Sequence, residues 1–546
     1  MEPREALELN KLNIAAAGSG CQMRLGDLDN DGRLELVLIQ PDVIADDRYF
    51  PHSVAAATAF SLEGDILWQI GTPAADIPAC NADLPAQIYD FDNDGSNEFL
   101  CVMDGEFCIF DGLNGTLKLK YPLPSPDAHD CFAIADLEGT GYAQNIILKN
   151  KYHMLWALDK NFNVIWTAAG NMGHFPLPCD LDGDGRDEVV AGYSVFSADG
   201  ELLWKAEGME KHPGSIWLCN LAQEKHANPS VLFGGTALRA YSSNGELLWE
   251  FSETDTLGDI VPGNFRTDIK GIETAGVLCT ASGINELFLN DYHGNTLFRE
   301  KRTVSNGTTR LHSIHNFDAD HQDLLLARRG DIRQVAIYDG MMNPIYTFSA
   351  TGQVYTADLT GGGVPQVLIQ DDETVSIYAA EEMDLSGAAV PYGRPQPKYL
   401  YNATYFNYGE LEPWRNAAGY ITGDFAAKSV YPWAETVAMC GGEDYETPIS
   451  RADFIVLLVS ALQLNAYERE NFYDVKPNAY YYHAVGVAKK LGLVEEVKFS
   501  PELGMTAEAA IEIMKKAGVN PITQKEGAEE LTLLDAAKLI LQTLKK

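Results

Sequence analysis

The chain has 546 residues, which is too many for one ordinary hydrophobic core and predicts two or more domains. Its 78 acidic residues outnumber its 40 basic residues and give a formal net charge of −38 at pH 7. A field of that sign repels nucleic acid and anionic lipid, so neither is an expected partner. An anionic sugar polymer is not excluded, because a bound calcium ion can make the local charge positive.

The start of the chain gives no indication of export. It lacks the basic region and apolar stretch of a secretory signal peptide, and no later stretch is long and apolar enough to cross a membrane. The nine cysteines are scattered without a Cys-x-x-Cys pair, which favours buried free thiols in a reducing compartment. Taken alone, these features favour a cytoplasmic location.

An acidic loop followed by a short apolar strand recurs along the first two thirds of the chain. Full copies open at Asp27, Asp90 and Asp180. Weaker copies keep only the opening Asp or Asn followed by Leu or Phe, at Asp136-Leu137, Asn220-Leu221, Asn264-Phe265, Asn316-Phe317 and Asp358-Leu359. Eight openings, spaced by roughly 40 to 60 residues, indicate a repeat architecture.

A second element lies between consecutive loops, and it is a turn followed by an apolar strand that ends in an aromatic residue. Examples are Gly64-Asp65-Ile66-Leu67-Trp68, Gly200-Glu201-Leu202-Leu203-Trp204 and Gly245-Glu246-Leu247-Leu248-Trp249. Short strands and turns at this period are typical of four-stranded antiparallel blades that bury their faces against one another in a closed ring. We expect an all-β propeller over residues 1–380, with eight blades and seven as the alternative.

The pattern changes after Tyr378. Residues 381–429 contain several prolines and little periodicity, which predicts a linker or a packed excursion, and residues 430–546 are predicted to form a small all-α domain. Ser450 is a suitable N-cap for a first helix, and the predicted helices are Ala452 to Leu462, Ala484 to Leu491, Ala507 to Lys516 and Leu533 to Leu544.

The three full loops share the spacing Asp-x-Asp-x-Asp-Gly-x-x-Glu, which converges carboxylate oxygens on one point, while the glycine permits the sharp turn. Such a loop suits a hard cation that needs six to eight oxygens, and we expect structural Ca²⁺ at each. An exposed Asx turn without metal is the alternative for a single copy. The predicted ligands are Asp27, Asp29, Asp31 and Glu35; Asp90, Asp92, Asp94 and Glu98; and Asp180, Asp182, Asp184 and Glu188.

These loops resemble the FG-GAP and VCBS-type repeats of calcium-binding propellers. The segments Ala59 to Gly71, Tyr89 to Gly95 and Gly173 to Val190, with His212, further resemble the rhamnogalacturonan lyases of polysaccharide lyase family eleven. That resemblance covers most of residues 20–265. It implies an eight-bladed, calcium-dependent propeller that cleaves the rhamnose–galacturonate backbone of pectin by β-elimination.

The resemblance also implies a catalytic site. His174 and His212 match histidines of the family's metal site, so both are catalytic candidates. The family's aspartate two residues after the second histidine is Gly214 here, and its later glutamate has no counterpart in Val231 to Thr236. A divergent lyase, a non-catalytic sugar-binding propeller and a protein-interaction propeller therefore all stay open.

The helical segment resembles surface-layer homology (SLH) modules, through Pro448 to Phe454, Phe472 to Val475 and Lys490 to Val494. Such modules form a three-fold helical unit that binds anionic cell-wall polymer, and Arg451 matches the arginine of their motif. The corresponding Met505-Thr506-Ala507-Glu508 lacks it. The resemblance implies a Gram-positive bacterium and a cell-surface or secreted protein, with wall anchoring or docking as the tail's two alternatives.

Overall fold

The structure is a computed structural model, and it describes most of the chain outside a set of gaps. The described ranges are 2–42, 51–78, 83–140, 142–208, 212–222, 229–252, 256–279, 285–301, 309–318, 323–329, 334–360, 364–386, 448–462, 471–476, 481–519, 530–532, 535–536 and 539–540. Of the predicted linker, 381–429, the described ranges include only residues 381–386.

Eight antiparallel sheets follow one another along the first part of the chain, so the eight-bladed propeller is confirmed. Blade 1 consists of Gln22–Gly26, Glu35–Pro41, Val54–Phe60 and Ile66–Gly71. Blade 2 consists of Ala86–Tyr89, Glu98–Met103, Glu106–Asp111 and Leu117–Pro122. Blade 3 consists of Cys131–Ala135, Asn145–Lys149, Met154–Leu158 and Val164–Ala169. Blade 4 consists of Leu177–Cys179, Glu188–Ala191, Ser194–Phe196 and Leu202–Lys205.

The second half of the ring repeats this order. Blade 5 consists of Ser215–Cys219, Ser230–Gly234, Leu238–Tyr241 and Leu247–Phe251. Blade 6 consists of Thr256–Gly263, Glu273–Cys279, Asn285–Asn290 and Thr296–Arg299. Blade 7 consists of Thr309–His315, Asp323–Arg329, Gln334–Tyr338 and Pro344–Thr347. Blade 8 consists of Gln353–Ala357, Gln366–Gln370, Thr374–Ala379 and the N-terminal strand Leu7–Asn13.

The N-terminal segment closes the ring. Leu7–Asn13 pairs antiparallel with Thr374–Ala379 as the outer strand of blade 8, and Arg4–Glu5 adds a parallel strand to Pro344–Thr347 of blade 7. A short 3-10 helix, Ala15–Ala17, then leads into blade 1. Blade 8 is thus built from both ends of the propeller sequence. The N-terminal strand pairs with the C-terminal strands, and this pairing closes the ring.

The first strand of each blade is the inner one. These strands are buried along their length, and several contact the first strand of the next blade, whereas the fourth strands are mostly exposed. Both faces of these strands are covered, so the polar residues that they carry, such as Arg24, Gln87 and His312, are buried as well. In each blade the inner strand therefore begins at one face of the ring and ends at the opposite face.

Tryptophans in the fourth strands lock neighbouring blades together. The Nε1 atoms of Trp68, Trp166, Trp204 and Trp249 donate to the carbonyls of Gly112, Ala198, Ser243 and Tyr292, each in the following blade. The strand-ending aromatics are thus packing residues. Trp156 and Trp217, which lie in the third strand of blade 3 and the first strand of blade 5, are buried as well.

The helical part contains helices α1 (Arg451–Ala461), α2 (Tyr482–Lys490) and α3 (Ala507–Lys516), close to the predicted bounds. The described residues of the fourth predicted helix, 535–536 and 539–540, are helical. Ser450 caps α1, because its Oγ accepts from the Asp453 N–H at 3.1 Å. No helix in the described ranges is long and apolar enough to cross a membrane.

A cyclic set of backbone hydrogen bonds gives this part a three-fold arrangement. Ile449 N–H donates to Leu531 O, Leu531 N–H to Met505 O, and Met505 N–H to Ile449 O, at 2.8–2.9 Å. All three side chains are buried in one core with the helices. The SLH resemblance implies a three-fold helical unit, while SLH membership and wall binding stay predictions.

Candidate functional site

The three acidic loops connect the first and second strands of blades 1, 2 and 4, and they therefore lie on one face of the ring. Ligand oxygens of Asp27, Asp29 and Asp31 lie within 4.8 Å of one another, as do those of Asp90, Asp92 and Asp94. In blade 4 the same holds for Asp180, Asp182 and Glu188. The fold thus gathers the predicted ligands locally, while Ca²⁺ itself stays a prediction.

The loop glutamates have a structural task besides any metal. Glu35, Glu98 and Glu188 each accept a hydrogen bond from the backbone N–H of Leu28, Phe91 and Leu181, at 2.7–2.8 Å. Asn145 and Gln366 make the equivalent bond in blades 3 and 8, where the acidic set is incomplete. One carboxylate oxygen of each glutamate therefore accepts a backbone hydrogen bond, which uses one of its two lone pairs and leaves the carboxylate able to bind a cation.

Burial and mutual repulsion disfavour ionisation of these glutamates. Burial raises the pKa of Glu35 to about 8 and that of Glu188 to about 9, and the neighbouring aspartates add to both shifts. Burial also raises the pKa of Glu98, to about 7, against the opposing hydrogen bond from Lys118. A cation among these carboxylates would reverse the penalty.

The loop of blade 2 already holds a cationic group. Lys118 Nζ lies 2.6 Å from Glu98 Oε1, 2.8 Å from Asp92 Oδ2 and 3.6 Å from Asp94 Oδ2. Lys118 comes from the fourth strand of the same blade. Sequence reasoning missed this contact because the lysine lies outside the loop motif.

His174 and His212 lie on the opposite face, just before the inner strands of blades 4 and 5. The fold brings the two histidines together: their ring centroids are 4.7 Å apart in an edge-to-face arrangement. Tyr152 stacks on His212 with centroids 4.7 Å apart and an interplanar angle of 16°. His174 is buried, and its Nδ1 lies 3.3 Å from Asp83 Oδ2. The predicted catalytic pair therefore shares one site.

A buried ion network surrounds this pair, and sequence reasoning missed it. Lys149 Nζ donates to Asp130 Oδ2 and to the carbonyls of Asn150 (2.9 Å) and Lys151 (2.7 Å). Lys151 Nζ lies 3.1 Å from Asp130 Oδ1. Burial lowers the pKa of Lys149, but Asp130 and other anionic neighbours raise it above its ordinary value. Lys149 is thus a charged ammonium enclosed by oxygen atoms.

Asp83 is ionised in this environment. Burial raises the pKa of Asp83, but the hydrogen bond with His174 and the charges of Lys149 and Lys151 outweigh burial and hold it below its usual value. Asp83 also forms a possible ligand triplet with Asp130 and Cys131. Burial raises the pKa of the Cys131 thiol well above its ordinary value, so the neutral thiol is a poor ligand for a hard cation.

Arg24 adds a further buried charge to the group defined here as the central cluster: Arg24, Asp83, Asp130, Lys149, Lys151, Tyr152, His174 and His212. Its guanidinium donates to the carbonyls of Ala86, Met23 and Leu84 at 2.8–3.1 Å, and burial lowers its pKa to about 10 against the attraction of Asp83. Arg24, Lys149 and Lys151 set three positive charges against the two aspartates. The charged members of the cluster thus sum to one net positive charge, within a chain of net charge −38.

A positional signal would have found much of this cluster. Asp83, Asp130, His174 and His212 stand one to three residues before the inner strands of four successive repeats. Aligning the repeats by their Asp/Asn-Leu openings places the four residues at equivalent strand ends. Lys149 and Lys151 carry no such signal, because they lie at and just after the end of the second strand, in blade 3 alone.

Arg451, the predicted wall-polymer residue, is engaged within the helical unit. Its Nη2 lies 2.5 Å from Glu496 Oε1, its Nη1 donates to Phe499 O at 2.9 Å, and its guanidinium lies over the Phe499 ring. Arg451 thereby ties the start of α1 to the segment before α3. Polymer binding by Arg451 stays a prediction.

Solved rhamnogalacturonan lyases have a similar fold. The exotype rhamnogalacturonan lyase YesX aligns over 68% of this chain and 76% of its own, with a TM-score of 0.50 and 18% identity. The Bacillus licheniformis rhamnogalacturonan lyase and YesW each align over 74% of this chain and 81% of their own, with TM-scores of 0.53 and 0.51 and identities of 16% and 17%. No family model matches the chain, and no curated protein matches it significantly. At these identities the likeness establishes the propeller fold.

Proposed function

We propose that this propeller binds an acidic polysaccharide of the rhamnogalacturonan type at the face that carries the central cluster. The observation that carries the proposal is the set of three buried cationic side chains, Arg24, Lys149 and Lys151, around His174 and His212 in a chain that is otherwise strongly acidic. Such a local cationic site attracts and orients a uronate carboxylate, while the rest of the surface repels polyanions.

The accessible part of the cluster suits a sugar ring. His212 and Tyr152 are half-buried and stacked, so they present an aromatic edge beside the charged groups. Sugar recognition commonly combines an apolar ring face with a few fixed polar groups. The fold shared with rhamnogalacturonan lyases supports the same ligand class.

A β-elimination at this site is a second candidate, favoured by the Asp83–His174 pair. In that reaction a base removes the proton α to the uronate carboxylate, a carbon–carbon double bond forms, and the β carbon–oxygen bond breaks as the leaving oxygen gains a proton. An aspartate on Nδ1 orients a histidine so that Nε2 can act as the base. The nearby ammonium of Lys151 would neutralise the carboxylate, in place of the metal shell that Gly214 and Val231 to Thr236 do not supply.

The test is binding of rhamnogalacturonan I and of a neutral galactan, followed by the ultraviolet absorbance of unsaturated uronate product. We expect selective binding of the acidic polymer, weakened about tenfold or more (~1.4 kcal/mol) in a His174→Ala/His212→Ala variant. His293→Ala is the matched control, because His293 is exposed on a turn of blade 6 away from the cluster.

Equal binding of the neutral and acidic polymers, or undiminished binding by the double variant, would contradict the proposal. Product formation by the wild type that the double variant lacks would support elimination. Binding without product would leave a polysaccharide-binding propeller.

For the acidic loops we propose bound Ca²⁺ with a structural role. The ions would fix the conformation of these loops, which lie on the face opposite the central cluster. The converging carboxylates and the raised glutamate pKa values support a cation there. The expected result is a calcium-dependent rise in melting temperature that a chelator reverses.

A further inference from the structure

We infer that Lys118 is the resident cation of the blade 2 loop and that it excludes a divalent ion from that loop, so the three acidic loops are not equivalent. The inference rests on the calcium binding proposed above for such loops. It concerns which of the loops take the metal.

The position of Lys118 in its strand makes this contact possible. Each outer strand carries a one-residue bulge, between Ile66 and Trp68 in blade 1, Leu117 and Leu119 in blade 2, and Leu202 and Trp204 in blade 4. The extra residue is Lys118 in blade 2, whereas it is the exposed Leu67 or Leu203 in the other two. Blade 2 therefore places an ammonium where blades 1 and 4 place a leucine.

The ammonium reaches the predicted ligand atoms themselves. Its contacts with Asp92, Asp94 and Glu98 involve three of the four predicted ligands of this loop. In blade 1, Arg33 contacts one loop carboxylate, Asp31 at 2.8 Å, and also pairs with Glu63. In blade 4, Arg186 pairs with Asp199 in the next turn. The lysine of blade 2 thus engages its loop most fully.

Charge and space explain the exclusion. A divalent ion bound by these oxygens would stand at contact distance from an ammonium that uses the same atoms, and the like charges repel. The tethered lysine also has a high effective concentration, which a free ion must overcome. The blade 2 loop should therefore be calcium-independent.

The experiment is a count of bound Ca²⁺ per chain by isothermal titration, on four full-length proteins. We expect two ions for the wild type, three for Lys118→Leu and one for Leu203→Lys, which moves the ammonium to blade 4. Lys120→Leu is the matched control: Lys120 lies on the same strand but pairs with Glu106, outside the loop, so two ions are expected.

Melting curves in chelator provide a second readout. Lys118→Leu should melt below Lys120→Leu without calcium and recover with it, because the loop carboxylates then lack a counter-charge. Three ions in the wild type, or an unchanged count in Lys118→Leu, would overturn the inference while leaving calcium binding intact. No calcium in any of the four proteins would instead overturn the calcium proposal.

Discussion

The first residue of the second strand closes the loop that precedes it in most blades. Glu35, Glu98, Glu188 and Glu273 do this with a carboxylate, whereas Asn145 and Gln366 use a neutral amide. All accept from a backbone N–H at 2.7–2.9 Å. The hydrogen bond therefore does not require a charge, and a carboxylate at a buried position without a cation carries an ionisation penalty.

Glu273 allows the ionisation penalty to be measured without a possible metal ion, because its loop is not one of the three predicted metal loops. Burial raises the pKa of Glu273 to about 8, and Asp323 adds to the shift. A carboxyl with a folded pKa above its unfolded value stabilises the fold while protonated, and that contribution is lost as pH rises from about 4.3 towards 8. Glu273→Gln should therefore stabilise the propeller above pH 8 by on the order of 2 kcal/mol and change little near pH 4.

Denaturant unfolding at both pH values measures this difference, with Glu246→Gln at an exposed turn as the control. A Glu273→Gln effect of the same size at both pH values would mean that the change in packing, and not ionisation, determines it.

Sequence reasoning reached the loops more completely than the central cluster. The spacing that predicts Asp27, Asp29 and Asp31 as one group lies within a single turn, so its geometry is local. The central cluster joins Asp83 to His174 across 91 positions, and only ring closure brings them together. Gly214 predicts that the family's metal shell is incomplete, and that stays a prediction, whereas nothing in the pattern indicated that lysines lie beside the histidines.

At the scale of elements, a tryptophan of one outer strand contacts a turn glycine of the next blade in the blades whose outer strand carries Trp68, Trp166, Trp204 or Trp249. Gly245 has φ of +86°, and a Cβ added there would stand 2.6 Å from the Trp204 ring. Similar contacts join Trp68 to Gly115, and Trp166 to Gly200. The glycine thus allows both the left-handed turn and the close approach of the indole, which explains why the sequence repeats the two residues together.

Gly245→Ala should destabilise the propeller by about 2–4 kcal/mol, as the sum of backbone strain and a clash with Trp204. Gly105→Ala provides the control, because Gly105 has φ of +77° but no atom near its added Cβ. It should cost only about 1 kcal/mol. Equal losses in chemical denaturation would show that the indole contact contributes nothing beyond the turn.

At the scale of the whole molecule, eight similar blades follow from a repeat that is local in sequence, and this is why blade number and order could be predicted. The closing strand could not, because Leu7–Asn13 lacks the turn and the aromatic residue that mark the other outer strands. Its register is set by pairing with Thr374–Ala379, more than 350 residues away. Such a long-range contact leaves little trace in the pattern of the strand itself.

That closing strand should determine the stability of the entire ring, because each blade covers only its neighbours. Leu12 is 2% exposed and packs in the core shared by blades 1 and 8. Leu12→Ala should lower the free energy of unfolding by about 2–5 kcal/mol and speed amide exchange in every blade, including blade 4 on the far side. The control Leu297→Ala truncates a 40%-exposed leucine of an outer strand and should cost well under 1 kcal/mol. Faster exchange confined to Leu7–Asn13 and Thr374–Ala379 would mean that the ring opens at its closure without loss of the other blades, and that cooperativity between blades is weak.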